Sequence, residues 1–151
     1  MALTTFGAIM GFAGEITGQT AGIYETLGQK AKDLGLREVL QALSAEGGRN
    51  HSLMEKTRRE NVTEMILEPI TGLYQEDYKI DLKVTDQMAD PDLLKAALAL
   101  EEREKKFFDD VSSKVPLPEV ARIFRKMAHR KQENLTKLQS LALNQTLKKS
   151  T

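Results

Sequence analysis

The residues of this chain that could do chemistry are glutamates, two histidines, asparagines and one lysine at an inward helical position. There is no cysteine and no tryptophan, and His51 and His129 are the only imidazoles. Thiol nucleophiles, disulfide redox chemistry, iron–sulfur ligation and cysteine zinc knuckles are thereby excluded. Oxygen and imidazole ligands remain, a thin stock for a transition metal. Glu101 and Glu104 are three residues apart and share a helical face. Glu46 and His51 are five apart, which puts them about 140° apart around a helix, one on each flank of its inward stripe. His129 and Glu133 share a face that points away from the apolar stripe of their helix and reads as a solvated charged surface. No phosphate-binding glycine loop, catalytic-triad spacing or aromatic-studded basic patch is present.

Four segments with apolar residues at helical spacing must position these groups. Helix 1 is expected over about Thr4 to Lys32, with Leu3, Phe6, Met10, Ala13, Thr17, Thr20, Tyr24, Leu27 and Ala31 inward. After the turn Asp33-Leu34-Gly35, helix 2 presents Leu36, Leu40, Leu43, Gly47, Asn50, Met54 and Thr57. Asp90 and Pro91 read as N-cap and first turn of helix 3, which presents Leu94, Ala97, Leu98, Glu101, Phe108 and Val111. Past Val115-Pro116-Leu117-Pro118, helix 4 presents Val120, Phe124, Met127, Lys131, Asn134, Leu138 and Leu141. A long connection, about residues 62–89, links the two hairpins. An offset of 84 residues superimposes Thr17 on Glu101, Tyr24 on Phe108, Leu36 on Val120, Leu40 on Phe124, Leu43 on Met127, Asn50 on Asn134 and Met54 on Leu138. Two similar hairpins are implied.

The 151 residues suit one domain with a sizeable core. Lys and Arg number 22 against 22 Asp and Glu, so the charge balance gives no reason to expect nucleic acid or an anionic membrane as partner. The N-terminal stretch holds a single charge, Glu15, among the first 24 residues, yet its threonines and Gln19 interrupt any membrane-length apolar run. It also lacks a basic n-region and cleavage pattern. A cytoplasmic location without a membrane span is the expectation.

Phe12-Ala13-Gly14-Glu15, Glu101 with Phe107-Phe108, and Ile123-Phe124-Arg125-Lys126-Met127-Ala128 together resemble the rubrerythrin-like branch of the ferritin-like family, over most of the four helices. The resemblance implies an all-α, antiparallel four-helix bundle, two hairpins joined by a long crossover. It also implies a di-iron carboxylate centre, with one Glu from the first helix of each hairpin and Glu-x-x-His from each second helix. Carried onto this chain, Glu101 matches. Thr17 stands at the helix 1 position, Gly47 and Asn50 on helix 2, and Lys131 and Asn134 on helix 4. An ammonium there would repel metal at close range.

The favoured expectation is therefore a ferritin-like bundle that has lost its di-metal centre and acts as a non-catalytic interaction or structural protein, with no cofactor. Thr17, Gly47, Asn50, Glu101, Lys131 and Asn134 would form a core polar cluster, in which Glu101 and Lys131 pair and Asn50, Asn134 and Thr17 supply hydrogen bonds. The alternative is a di-iron oxidoreductase acting on peroxide or dioxygen, with Glu15, Glu46, His51 and Glu101 as ligands of two iron ions. Gly7, Gly11, Gly14, Gly18 and Gly22 fall on one side of helix 1, at a cost of about 1 kcal/mol each relative to alanine. That smooth face is expected to pack against a second chain in a homodimer.

Overall fold

The computed structural model describes residues 1–61 and 69–150, without the side chains of 146–150. Four helices carry the fold: α1 (Phe6–Lys30), α2 (Leu34–Glu60), α3 (Asp90–Lys114) and α4 (Pro118–Ser150). Each starts on a local signal. Thr5 caps α1 by accepting from the Ala8 N–H at 3.0 Å, and Asp33 caps α2 by accepting from the Leu36 N–H at 2.9 Å. Pro118 opens α4 at a position where its missing N–H costs nothing.

The start of α3 differs from the expectation. Ala89, not Asp90, is the N-cap, and Asp92 accepts from the Ala89 N–H at 3.0 Å. Asp90 is the first helical residue, and its carboxylate instead accepts from the Lys32 and Asp33 N–H groups, both at 2.9 Å. That contact ties the start of α3 to the α1–α2 turn. It also sets the directions: α3 runs parallel to α2 and antiparallel to α1, and α4 returns parallel to α1.

α1 packs on α2 and α3 packs on α4 as hairpins, and α3 joins the hairpins by touching both α1 and α2. For that reason α3 is buried on more than one stripe, with Leu93, Ala96, Leu100, Glu104 and Phe107 inside as well as the expected positions, while Leu98 is only half-buried. The connection crosses the start of α1, where Leu3 N–H donates to the Leu73 carbonyl (2.8 Å) and Ile70 N–H to the Thr4 carbonyl (2.9 Å). A 3-10 turn at Gln75–Tyr78 then seats the Tyr78 ring on Phe12 and Phe107, with its hydroxyl donating to Asp110 at 2.6 Å. Ile80, Leu82, Val84 and Met88 pack along the bundle toward α3.

The apolar core is in two parts. One end holds Phe6, Ile9, Met10, Met54, Phe107, Phe108, Val111 and Phe124, with the Phe107, Phe108 and Phe124 rings in edge and tilted contacts, centroids 5.9–6.3 Å apart. The other end holds Tyr24, Leu27, Leu36, Leu40, Leu43, Leu93, Leu94, Leu100 and Leu138. Burying each such side chain fully contributes about 1.5–3 kcal/mol. Between the two ends lies a layer that is not apolar. Among the described residues, no helix is long and apolar enough to cross a membrane.

Candidate functional site

The middle layer is built from residues one helical turn apart on facing helices: Glu101 and Glu104 on α3, Lys131 and Asn134 on α4. Lys131 Nζ donates to Glu101 Oε2 at 2.9 Å and lies 3.0 Å from Glu104 Oε2, and the three side chains are at most 1% exposed. The second contact is an ion pair out of line for a hydrogen bond, and among the described residues neither Glu104 oxygen accepts one. Asn134 Nδ2 bridges two carboxylates, donating to Glu101 Oε1 at 2.8 Å and to Glu46 Oε2 at 2.7 Å. Arg130 Nε, at the outer edge, donates to Glu46 Oε1 at 3.2 Å. On the α1 side, Arg103 Nη2 donates to the buried Thr20 hydroxyl at 2.7 Å, while its buried Nε has no hydrogen-bond partner among the described residues. Tyr24 donates to the Ala97 carbonyl at 3.2 Å.

Formal charges balance within the layer: Glu46, Glu101 and Glu104 against Lys131, Arg103 and Arg130. Burial works against the Lys131 ammonium, but Glu104, Glu101 and Glu46 outweigh it and hold its pKa above the ordinary 10.5. Burial raises the Glu101 carboxyl above its ordinary 4.5, Lys131 opposing and Glu104 adding to the rise. The two directions agree physically: one contacting ammonium among several carboxylates keeps its proton, while the carboxylates crowd each other. Burial lowers the Arg103 guanidinium, with Glu104 opposing, and raises the Tyr24 hydroxyl, with Glu101 and Glu104 adding to it.

Three members of the expected cluster, Thr17, Asn50 and Gly47, make no hydrogen bond to the layer among the described residues. Thr17 is buried at the right level, but its hydroxyl donates to the carbonyls of Ala13 (2.7 Å) and Gly14 (3.1 Å) on its own helix. A short side chain satisfied by the preceding turn has nothing to offer Glu101. Asn50 is half-buried on the α2 surface and makes no hydrogen bond to the layer among the described residues. Gly47 lies against α1, where an added Cβ would stand 3.0 Å from Ala21 Cα and Cβ. From α2 the layer gains Glu46 instead of Asn50, and Glu46 accepts from Asn134 and Arg130.

Of the alternative ligand set, Glu46 and Glu101 are brought together, linked through Asn134. Glu15 is exposed. His51 turns to α1, its Nδ1 at 2.7 Å from the Gly14 carbonyl and its Nε2 at 3.4 Å from Glu55. His129 and Glu133 are exposed, 3.7 Å apart, on the outer face. Among the described residues no three His, Asp or Glu side chains converge to hold a metal ion.

The glycine face of α1 looks at α2 for much of its length. His51 reaches the Gly14 carbonyl, its ring would be 3.1 Å from a Cβ at Gly18, and an Arg58 nitrogen would be 3.7 Å from one at Gly11. Gly7 is half-buried and Gly22 exposed. Close approach within the hairpin therefore accounts for Gly18, whereas a Cβ at Gly11 would make only ordinary contact and one at Gly14 or Gly22 would meet nothing within 4 Å.

Compared with protein-family models, curated proteins and solved structures, the chain matches none of them.

Proposed function

We propose that the chain is a ferritin-like bundle in which an internal salt-bridge layer stands at the level of a di-metal centre, and that it serves as a non-catalytic structural or interaction protein. The long crossover and the up-down-down-up order of the helices support the ferritin-like reading, since ferritin-like folds carry one long crossover connection. One observation carries the functional half: Lys131 Nζ sits within 3.0 Å of both Glu101 and Glu104. A di-iron centre needs Glu and His from four helices. Here α1 offers Thr17, whose proton is committed to backbone, α2 offers Gly47 and Asn50, and α4 offers an ammonium and an amide. Glu46 and Glu101 have all four oxygens on donors already. These residues do not fit two metal ions.

The test is metal analysis of protein purified without chelators, joined to melting curves with added iron, manganese and zinc. The expected result is metal well below one ion per chain and an unchanged melting temperature, because a ligand stabilises a fold only by binding its native state. About two irons or manganeses per chain, with a saturable rise in melting temperature, would instead support the di-iron oxidoreductase reading.

A further inference from the structure

The two hairpins meet along two seams on opposite faces of the bundle, and among the described residues the chain covers one of them. The connection lies over the α1–α3 seam, with the Tyr78 ring on Phe12 and Phe107 and with Leu82 and Met88 along α3. The α2–α4 seam keeps an open, apolar cleft of about 190 Å³ between Leu53, Ile123 and Met127. That is smaller than the about 300–1,000 Å³ of a small-molecule pocket and suits one inserted side chain. Exposed charge on the two faces differs in sign. On α4, Arg122, Arg125 and Lys126 are exposed, and no acidic residue stands between Glu119 and Glu133. Glu46, at the polar end of the cleft, has its oxygens on Arg130 and Asn134. In the connection, Glu76, Asp77, Asp81 and Asp86 outnumber Lys79 and Lys83, and all six are exposed.

At the head of that acidic stretch stands Tyr74, 48% exposed and the only aromatic among the large apolar side chains exposed in the described residues. Its bridge to Ala2 holds it at the end of the bundle where α1 begins and α2 finishes, the end that also carries Leu53 and Ile123. Ring and cleft thus lie toward one end but on opposite faces, so they cannot meet within one chain. We propose that they meet between chains: Tyr74 of one copy inserts into the α2–α4 cleft of the next, with Asp77 and Asp81 against the next copy's Lys126 and Arg122. A tyrosine suits the seat, because its ring is apolar and its hydroxyl can stay at the polar end. The two faces are different surfaces, so the contact is heterologous, and a third copy adds as the second did. One aromatic anchor with a charged rim makes a small, weak interface. This names a partner for the interaction protein of the preceding section and rests on that reading. Metal content tests the charged layer alone, so the two can fail separately.

The experiment is sedimentation of the full chain from about 20 μM to about 1 mM, at about 0.05 M and about 0.5 M salt, the higher of which screens exposed charges. The expected result is an average mass that climbs past the dimer with concentration at low salt and falls back at high salt. Tyr74→Ala removes the anchor and Ile123→Glu closes the cleft, and each, its fold checked by circular dichroism and melting, should stay monomeric. Lys126→Glu, at an exposed position, leaves the cleft in place and should weaken association at least about fivefold. Mixing Tyr74→Ala with Ile123→Glu supplies one intact cleft and one intact anchor, so the mixture should form one-to-one pairs and nothing larger. A native chain that is monomeric at about 1 mM or that stops at a dimer would overturn the proposal. So would association unchanged by Tyr74→Ala or by Lys126→Glu, or a mixture that stays monomeric.

Discussion

The two hairpins hold their interiors in different ways although an offset of 84 residues matches their sequence patterns. At matched positions the first hairpin has Thr17, Thr20, Gly47 and Asn50 where the second has Glu101, Glu104, Lys131 and Asn134. In the first, small residues bring backbone near backbone: Gly47 lies against Ala21, the Ser44 hydroxyl donates to the Ala21 carbonyl at 2.8 Å, and His51 reaches the Gly14 carbonyl. In the second, long charged side chains fill the matched space and neutralise one another. The matched pair Glu46 and Arg130 meet each other across the seam. A repeated frame thus conserves where apolar residues go and leaves the central layer free to be filled either by backbone contact or by ion pairs.

The largest expected effect comes from breaking the second arrangement. Lys131→Met leaves Glu101 and Glu104 buried without their cation, and Glu101→Gln leaves the ammonium with one contacting carboxylate. Removing one partner of a buried pair costs about 3–5 kcal/mol, and each single variant should approach that. The double variant should recover the part of the loss that belongs to Glu101, while Glu104 remains buried without its cation. Urea unfolding of the four proteins measures this, and single-variant effects that simply add would show that the contact carries no coupling.

How legible this was depends on direction around each helix. Lys131, Asn134 and Glu101 lie on the inward stripes, so periodicity placed them at one level. Helical spacing sets Glu46 on a flank of α2, but α2 has more than one neighbour, so a flank residue can still face α4 across the seam. A stripe gives one inward direction, and a helix that joins two hairpins has several. The same reason hid Arg103, Leu93 and Leu100 on α3, the helix that touches both α1 and α2. A usable signal did exist: Glu46 and Arg130 are matched by the repeat and carry opposite charge. Thr17 failed as a donor to Glu101 because a threonine in a helix has a nearer acceptor one turn back.

The charged layer also predicts a dependence on alkaline pH that the glycine-based hairpin does not share. Burial works against the Lys131 ammonium, but Glu104, Glu101 and Glu46 outweigh it and hold its pKa above 10.5, so the folded protein keeps a proton that the unfolded chain loses. That stability is fully present below pH 10.5 and is lost as pH rises toward the folded value, at up to about 1.4 kcal/mol per unit. Tyr24, raised by burial and by Glu101 and Glu104, acts with the same sign. Glu101, also raised, contributes stability that is greatest below its ordinary 4.5 and falls as pH climbs through its folded value. Melting temperatures from pH 7 to 11.5 should therefore drop steeply at the alkaline end in the native protein. They should drop less in Lys131→Met, and equal slopes would sever the link to Lys131.

On the side of the first hairpin, Gly47→Ala should be destabilising. The new methyl would meet Ala21 Cα and Cβ at 3.0 Å and its N at 3.2 Å, contacts with backbone that cannot rotate away. Overpacking of this kind costs about 1–3 kcal/mol, or a few degrees of melting temperature in a domain this size. A neutral Gly47→Ala would mean that α1 and α2 do not approach as closely as the comparison requires.

Gly22→Ala should do the opposite on the same helix, and its effect is the smallest. A Cβ at Gly22 meets nothing within 4 Å, and the residue is exposed in the interior of α1. Without a steric cost, the gain is the backbone entropy that glycine loses on entering a helix, about 0.5–1 kcal/mol. Gly14, which also has nothing within 4 Å of a Cβ, should behave alike as long as the His51 contact to its carbonyl survives. The pair also sharpens the question of assembly. Glycines that merely await helix propensity gain from alanine, whereas glycines pressed by a second copy of the chain lose from it. Melting of the two variants, with sedimentation of the native protein at micromolar concentration, separates these cases. Stabilised variants and a monomer would leave close approach within the hairpin as the sole use of the glycine face. Destabilised variants and a dimer would restore the second chain to it.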